Sequence, residues 1–553
     1  MDDTFLYKVI SRLSLKSLDA VQNGQGFSDF DKYMHVSRPI EKVLEQKMFE
    51  IEHNGGGIVL LVGSAGDGKS HLLSQVKTKF DWSFKSYYND ATVSCSPKRT
   101  AIDTLKIALE EFSDKKIHTT SDKKVVAINL GKLNAFIEDS EVKDSYREIV
   151  NVVKPLFDDM PIYETEHIKV VLFTEEQLFE FHPDVEMDYP VASDFLSKVL
   201  SKIVSCEEDN PFYQAYLADL GNGVGKKSPL ILNYELLMSE SVRHTIVMSV
   251  IEAIIRFNLK ITPREYFDFI YATLCWTGKY EEKDDFFEAL LPTKLFHGNS
   301  TNKIVVALSK LDPLKYGSTL HDDDLAVLFT SYMIPKDFMD MIEEANVPSF
   351  IIERTNKFYA NNGIDTERTV KFLFRLKHLL NYHTESIVYR KYLKALSGIF
   401  LNDAGTMKEL YDIVSMAMPR HYGSYYREEG LVPLNLQGAN YHFFSSLEME
   451  PCKIVSIFDK SSPNHFALYI DMSWQIGIEE KIRLRLDYQL YQYLLDLNEG
   501  KLAVNYENER NIIFSKFMRQ LSKLCDSSKK LIIIGPESKK ITFKENFGNL
   551  SLK

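Results

Sequence analysis

Eight residues limit this chain more than any others. Gly63-Ser64-Ala65-Gly66-Asp67-Gly68-Lys69-Ser70 follows an apolar run, Ile58 to Val62, and leads into a segment whose Leu73, Val76 and Phe80 share one helical face. The spacing is GxxxxGK[ST], in the strand–loop–helix setting that gives the pattern its meaning. Glycines let the backbone wrap closely, so that successive N–H groups point at phosphate oxygens. The helix N-terminus adds partial positive charge behind them, and the cradle continues into His71. Lys69 is expected to reach the β- and γ-phosphates and Ser70 to help hold magnesium. A plain Gly-rich turn is the ordinary alternative, and the strand before and helix after weigh against it. No NKxD-type segment follows to read guanine, so ATP with Mg2+ is the expected ligand.

The rest of the chain arranges itself around that loop. At 553 residues it is too long for a single core. Apolar runs at Val125–Ile128 and Val170–Phe173 read as further buried parallel strands, with helical patterns between them. In the first fifty residues Ile40, Val43, Leu44, Lys47 and Met48 recur at helical spacing, and Asn54-Gly55-Gly56-Gly57 stops that helix. Strand signals vanish after about 190, and amphipathic helices dominate to about 420. One helix start is well marked: Thr262-Pro263-Arg264-Glu265 supplies an N-cap, a first-turn proline and a capping-box glutamate. From about 430 the pattern is mixed, with alternation from Ile476 to Leu486. The expected organisation is an N-terminal helical segment (1–54), an α/β P-loop NTPase core with a parallel sheet flanked by helices (55–190), a lid-like helical region (191–300), a helical domain (301–430) and a mixed α/β C-terminal domain (431–553).

Composition narrows the function classes. The formal net charge is -12, so attraction of nucleic acid to the bulk of the protein is not expected, and any DNA contact must come from local patches or partners. The five cysteines are scattered without CxxC spacing, which supports neither a disulfide framework nor a zinc site. The opening MDDTFLYKVISRLS lacks the long apolar core of a secretion signal. The greasiest stretch, Ile246 to Phe257, is broken by Ser249, Glu252 and Arg256. A cytoplasmic protein is expected.

The acid that positions magnesium or polarises water should sit at another strand end. Asp90, closing Phe84-Lys85-Ser86-Tyr87-Tyr88-Asn89-Asp90, is the first candidate, with an ordinary turn aspartate as the alternative. Glu175 and Glu176, after Leu172-Phe173-Thr174, are a second pair, or else cap the next helix. Asn129, after Val125-Val126-Ala127-Ile128, stands where additional-strand ATPases carry a polar residue that senses the γ-phosphate; a turn asparagine is the equal alternative. Arg264 is read either as a lid arginine touching the nucleotide or as a solvated residue of a helix start.

Several segments together resemble the DptF (DndF) family of DNA phosphorothioation-dependent restriction proteins. They are Tyr33-Met34-His35-Val36-Ser37-Arg38-Pro39-Ile40-Glu41, the cradle through His71-Leu72-Leu73, Asn89-Asp90-Ala91-Thr92, Ala127-Ile128-Asn129-Leu130-Gly131-Lys132-Leu133, Asn210-Pro211-Phe212-Tyr213 and Leu486-Asp487-Tyr488-Gln489-Leu490-Tyr491. The resemblance covers most of the chain, though only the loop is chemically specific. It implies a bacterial antiviral role: an ATPase subunit acting with DptG- and DptH-like partners on DNA that lacks the sulfur mark. Contact with DNA is then expected through the complex, with direct contact as the alternative. The family segment continues Asn-Asp-Ala-Thr with Glu, where this chain has Val93, which puts independent hydrolysis in doubt and leaves nucleotide binding intact. The alternative function is a nucleotide-binding scaffold with little or no intrinsic turnover. A small-substrate kinase is a third reading, to which so much extra surface is ill suited.

A restriction role invites a search for a nuclease. Asp471, Glu479 and Lys481 have the order of a D…ExK metal site. Alternation of Ile476, Ile478, Ile482, Leu484 and Leu486 instead puts Glu479 and Lys481 on a solvated face with Arg483 and Arg485, so no cutting by this chain alone is expected. Lys481, Arg483 and Arg485 on one strand face, and Arg368, Lys371, Arg375 and His378 on one helical face near Phe372 and Phe374, are candidate contacts to a DNA backbone. Each is more commonly an ordinary soluble face.

Overall fold

The computed structural model describes residues 4–14, 28–80, 84, 86–88, 101–157, 160, 162–173, 176–224, 227–276, 280, 285–298, 300–315, 319–331, 334–360, 365–384, 386–428, 430–438, 441–455, 458, 460–478, 480–501, 509–525, 530–536, 539–546 and 549–552. It is a mixed α/β protein in two compact units. One comprises Met1–Glu180, Ala192–Ile251 and Lys260–His383; the other comprises Phe181–Val191, Glu252–Leu259 and Thr384–Lys553.

The first unit is built on a small parallel sheet. Its strands are β1 (Gly57–Gly63), β2 (Ser86–Tyr88), β3 (Lys123–Asn129) and β4 (Ile168–Leu172), in the order β2-β3-β1-β4. All seven residues of β1 are buried. Period-two geometry sends them to opposite faces, and each face meets its own helices. Ile58, Leu60 and Val62 join Val126, Ile128, Ile168 and Val170 against Leu133, Phe136, Val142, Ile149 and Val153. Val59, Leu61, Val125, Ala127 and Val171 pack on the other side against Ile40, Leu44, Met48 and Ile51, and against Leu72, Leu73 and Val76. A parallel sheet needs both faces covered, which is why the strands read as unbroken apolar runs. Burying each such side chain contributes about 1.5–3 kcal/mol.

The remaining helices of this unit run from Asp194–Val204 to Asp365–Leu380. Buried polar groups join them. Asn233 donates to the carbonyls of Leu274 and Ala289 and accepts from the Leu291 amide. Asp219 takes the backbone N–H groups of Phe5 and Leu6, the orphan donors of the first helix. One sequence expectation changes here. Arg375 forms a two-bonded ion pair with Asp312, at 3.1 and 2.7 Å, with its side chain 12% exposed, so it is not part of a free basic face. Lys371 is held by Glu367 at 2.5 Å. Phe372 and Phe374 are core residues.

The second unit carries antiparallel sheets. Glu480–Asp487, Tyr469–Ile476 and Glu450–Pro451 form one of three strands; Asn549–Leu552, Lys540–Asn546, Lys530–Ile534, Tyr441–Ser446 and Leu431–Gly438 form one of five. The alternation from Ile476 to Leu486 is a hairpin rather than one strand. Gly477 turns the chain at φ +59°, and Ile478 at the tip is 97% exposed. Beyond the turn Ile482, Leu484 and Leu486 are buried while Lys481, Arg483 and Arg485 face outward. The two charged residues inside the greasy stretch are accounted for in this unit as well. Buried Glu252 pairs with Arg256 at 2.7 Å and accepts the Thr384 hydroxyl at 2.9 Å. Among the described residues, no helix is long and apolar enough to cross a membrane.

Candidate functional site

Parallel strands gather their following loops at one edge, and the Gly63–Ser70 segment lies at that edge. β1 ends at Gly63, opposite Asn129 of β3 in the ladder, while Val62 lies opposite Leu172 of β4. The helix Lys69–Phe80 begins within the last two residues of that segment. Gly66 and Gly68 have φ values of +91° and +90°, a region L side chains rarely enter, so the turn depends on glycine at both places. Ser64, Ala65 and Ser70 are exposed and Gly66 to Lys69 half-buried, so the loop opens to solvent.

The loop's polar groups are tied together. Lys69 Nζ donates to the Ser64 carbonyl at 2.5 Å, and the Ser64 amide donates to Asp67 Oδ2. Burial pushes the Asp67 carboxyl above its ordinary range. The Ser64 amide, Lys69 and Arg38 offset this only in part, and Glu265 adds to it.

Two elements distant in sequence close on the loop. From the N-terminal side, Arg38 Nη2 donates to the Asp67 carbonyl at 3.0 Å. His35 Nδ1 lies 2.9 Å from His71 Nε2, the rings stacked at 5.1 Å. Burial, reinforced by His35, pushes His71 down to about 4, so its ring is neutral near pH 7. From the helical region, the helix Pro263–Leu274 starts against the loop with the expected capping box: Thr262 Oγ1 accepts from the Glu265 amide and Glu265 accepts from the Thr262 amide. A Cβ placed on Gly66 would lie 2.9 Å from Thr262 Oγ1 and 3.7 Å from Arg264 Cβ. Arg264 is therefore brought to the loop rather than left on a solvated helix start.

The other expected residues divide. Asn129 N-caps the helix Leu130–Glu138, its Oδ1 accepting from the Lys132 amide at 2.9 Å, while its ladder position puts it beside Gly63. Asp90, Val93 and Glu175 lie outside the described residues. Glu176 does not cap a following helix. It accepts the Ile40 amide at 3.4 Å, at the start of the helix Pro39–His53, and faces Arg38 at 3.8 Å. Arg38 carries no local signal of its role, because a contact 29 residues away leaves no periodicity to find it by.

The structure does not bring Asp471 and Lys481 of the D…ExK pattern together. Asp471 stands opposite Arg485 and Lys481 opposite Gln475, four ladder positions or about 13 Å apart. Glu479 lies outside the described residues. Among the described residues, no group of three or more His, Cys, Asp or Glu side chains is arranged to hold a metal ion. Comparison with protein-family models, with curated proteins and with solved structures returns no match for this chain.

Proposed function

We propose that this chain is the ATP-binding subunit, with ATPase activity, of a phosphorothioation-dependent DNA restriction complex, and that its core is a P-loop NTPase domain. The observation that carries the nucleotide reading is the loop: an open turn at the carboxyl end of a central parallel strand, running into a helix, with two glycines at positive φ and a lysine laid across it. The residues fit a triphosphate. Amides from Gly66 to His71 would line the phosphates, Lys69 would leave the Ser64 carbonyl for the β- and γ-phosphates, and Ser70, exposed at the helix start, would help hold magnesium. Magnesium supplies neutralisation of phosphate charge; the chain binds and orients.

The strand order supports the additional-strand variety of this core. β3 lies between β1 and β2, so Asn129 ends the strand beside the loop and Asp90 follows the strand beyond it. With Asn129 Oδ1 given to its cap, the Nδ2 amide is the end suited to a phosphate oxygen. The role in restriction of unmodified DNA, beside DptG- and DptH-like partners in the cytoplasm, rests on the family resemblance. DNA is reached through those partners.

One observation favours the scaffold reading: Glu176 is engaged by Arg38 and Ile40, which leaves Asp90 and Glu175 as the candidate acids, with Val93 where a water-polarising Glu is expected. Two measurements test the proposal. Lys69→Ala should weaken Mg–ATP binding roughly thirtyfold or more, since removing one partner of a charge-assisted contact costs about 2–5 kcal/mol; unchanged affinity removes the cradle. Phosphate release by the chain alone, then with partners and unmodified DNA, separates ATPase from scaffold.

A further inference from the structure

The phosphate loop is held from outside its own segment by a guanidinium. Arg38 Nη2 donates to the Asp67 carbonyl at 3.0 Å. The side chain is 10% exposed, lies 3.8 Å from Glu176 Oε2, and has its guanidinium carbon 5.3 and 5.9 Å from the ring centres of Phe173 and Phe195. Its own backbone is fixed too, the Arg38 amide donating to Glu41 Oε1 at 3.0 Å. A trans peptide is planar, so its C=O and N–H point in opposite directions. With the Asp67 carbonyl drawn toward Arg38, the Gly68 N–H points the opposite way, away from Arg38. Gly68 at φ +90° has no side chain to prefer that peptide orientation over its flipped alternative. Arg38 supplies such a preference from outside the loop.

We propose that Arg38 is a positioning residue for the nucleotide phosphates, holding the Asp67–Gly68 peptide with its N–H turned into the cradle before ligand arrives. This rests on the nucleotide reading above and deepens it. The two cations at the loop then differ in kind. Lys69 lies on the open side and moves to the phosphates. Arg38 stays between Phe173 and Phe195 and acts through one carbonyl. Binding a flexible loop costs the ordering of that loop, and fixing the peptide beforehand removes part of that cost.

The test measures binding of Mg–ATP and of inorganic tripolyphosphate to the wild-type chain, Lys69→Ala, Arg38→Met and Arg38→Lys, with a melting curve for each. Arg38→Met is expected to lose about tenfold in affinity for both ligands alike. Arg38→Lys, which keeps a donor on a stem of similar length, is expected to regain most of it. A folded Arg38→Met that binds both ligands as the wild type does overturns the proposal. So does a loss confined to ATP, which would put Arg38 on the base. If Arg38→Met does not fold, Arg38→Lys decides: affinity within about threefold of wild type supports the proposal, and a tenfold loss refutes it. Failure of Lys69→Ala alone to matter, or no binding by the wild type, sinks the nucleotide reading itself and is distinguishable from any result at Arg38.

Discussion

The parallel sheet of the first unit and the Tyr469–Asp487 hairpin of the second solve the same problem in opposite ways. β1 is buried on both faces, so its side chains carry no chemistry and its contribution to a site lies wholly in the loop beyond its end. The hairpin strand Glu480–Asp487 buries one face only, and its chemistry is the exposed face itself, Lys481, Arg483 and Arg485. A fully covered strand therefore offers one well-placed terminus, whereas a half-covered one offers a row of side chains. The first arrangement concentrates backbone amides at a point; the second spreads charge along a line.

Core substitution is the strongest test of that contrast. Leu61 has strands on either side and helices over both faces, so the cavity left by Leu61→Ala has little room to collapse. Leu484 lies on an edge strand that can shift. Urea denaturation should place Leu61→Ala toward the upper end of the roughly 2–5 kcal/mol typical of such changes and Leu484→Ala toward the lower. Equal losses would break the comparison.

Acid sharpens it next. His71 beside the loop and His421 in the second unit are both pushed down to about 4 by burial, His71 with help from His35. Each is neutral when folded and takes a proton near 6.5 when unfolded. Their contribution is therefore present above 6.5 and is lost as pH falls from there toward 4, by about 1.4 kcal/mol per pH unit for each. Stability measured from pH 7 to 4.5 should show a shallower slope in His71→Gln and in His421→Gln than in the wild type. An unaltered slope in either would mean that ring stays neutral through some other balance. The smallest effect belongs to the outward face: Arg483→Ala should change stability by no more than about 0.5 kcal/mol and leave ATP affinity unchanged. A larger loss would show that the row of charge is structural.

Much of this was legible in the sequence for a physical reason. The loop, its strand and its helix are contiguous, so local spacing carries them. The Thr262 cap and the alternation of Ile482, Leu484 and Leu486 are equally local. Contacts between distant segments were not legible. Glu176 turns to Arg38 and, across 136 residues, to the Ile40 amide, and Arg375 finds Asp312 across 63. Ion pairs of that kind have no period. In the sequence the hairpin reads as one strand because Gly477, which permits its positive-φ turn, sits inside an otherwise regular alternation.

The approach of Thr262 to Gly66 has a consequence for the order of events during synthesis. The helix start that closes on the loop is encoded roughly 200 residues later, which at about 5–20 residues per second leaves the loop waiting some tens of seconds for its far wall. A nascent chain halted before residue 262 would carry every strand of the parallel sheet and still lack one wall of the glycine loop.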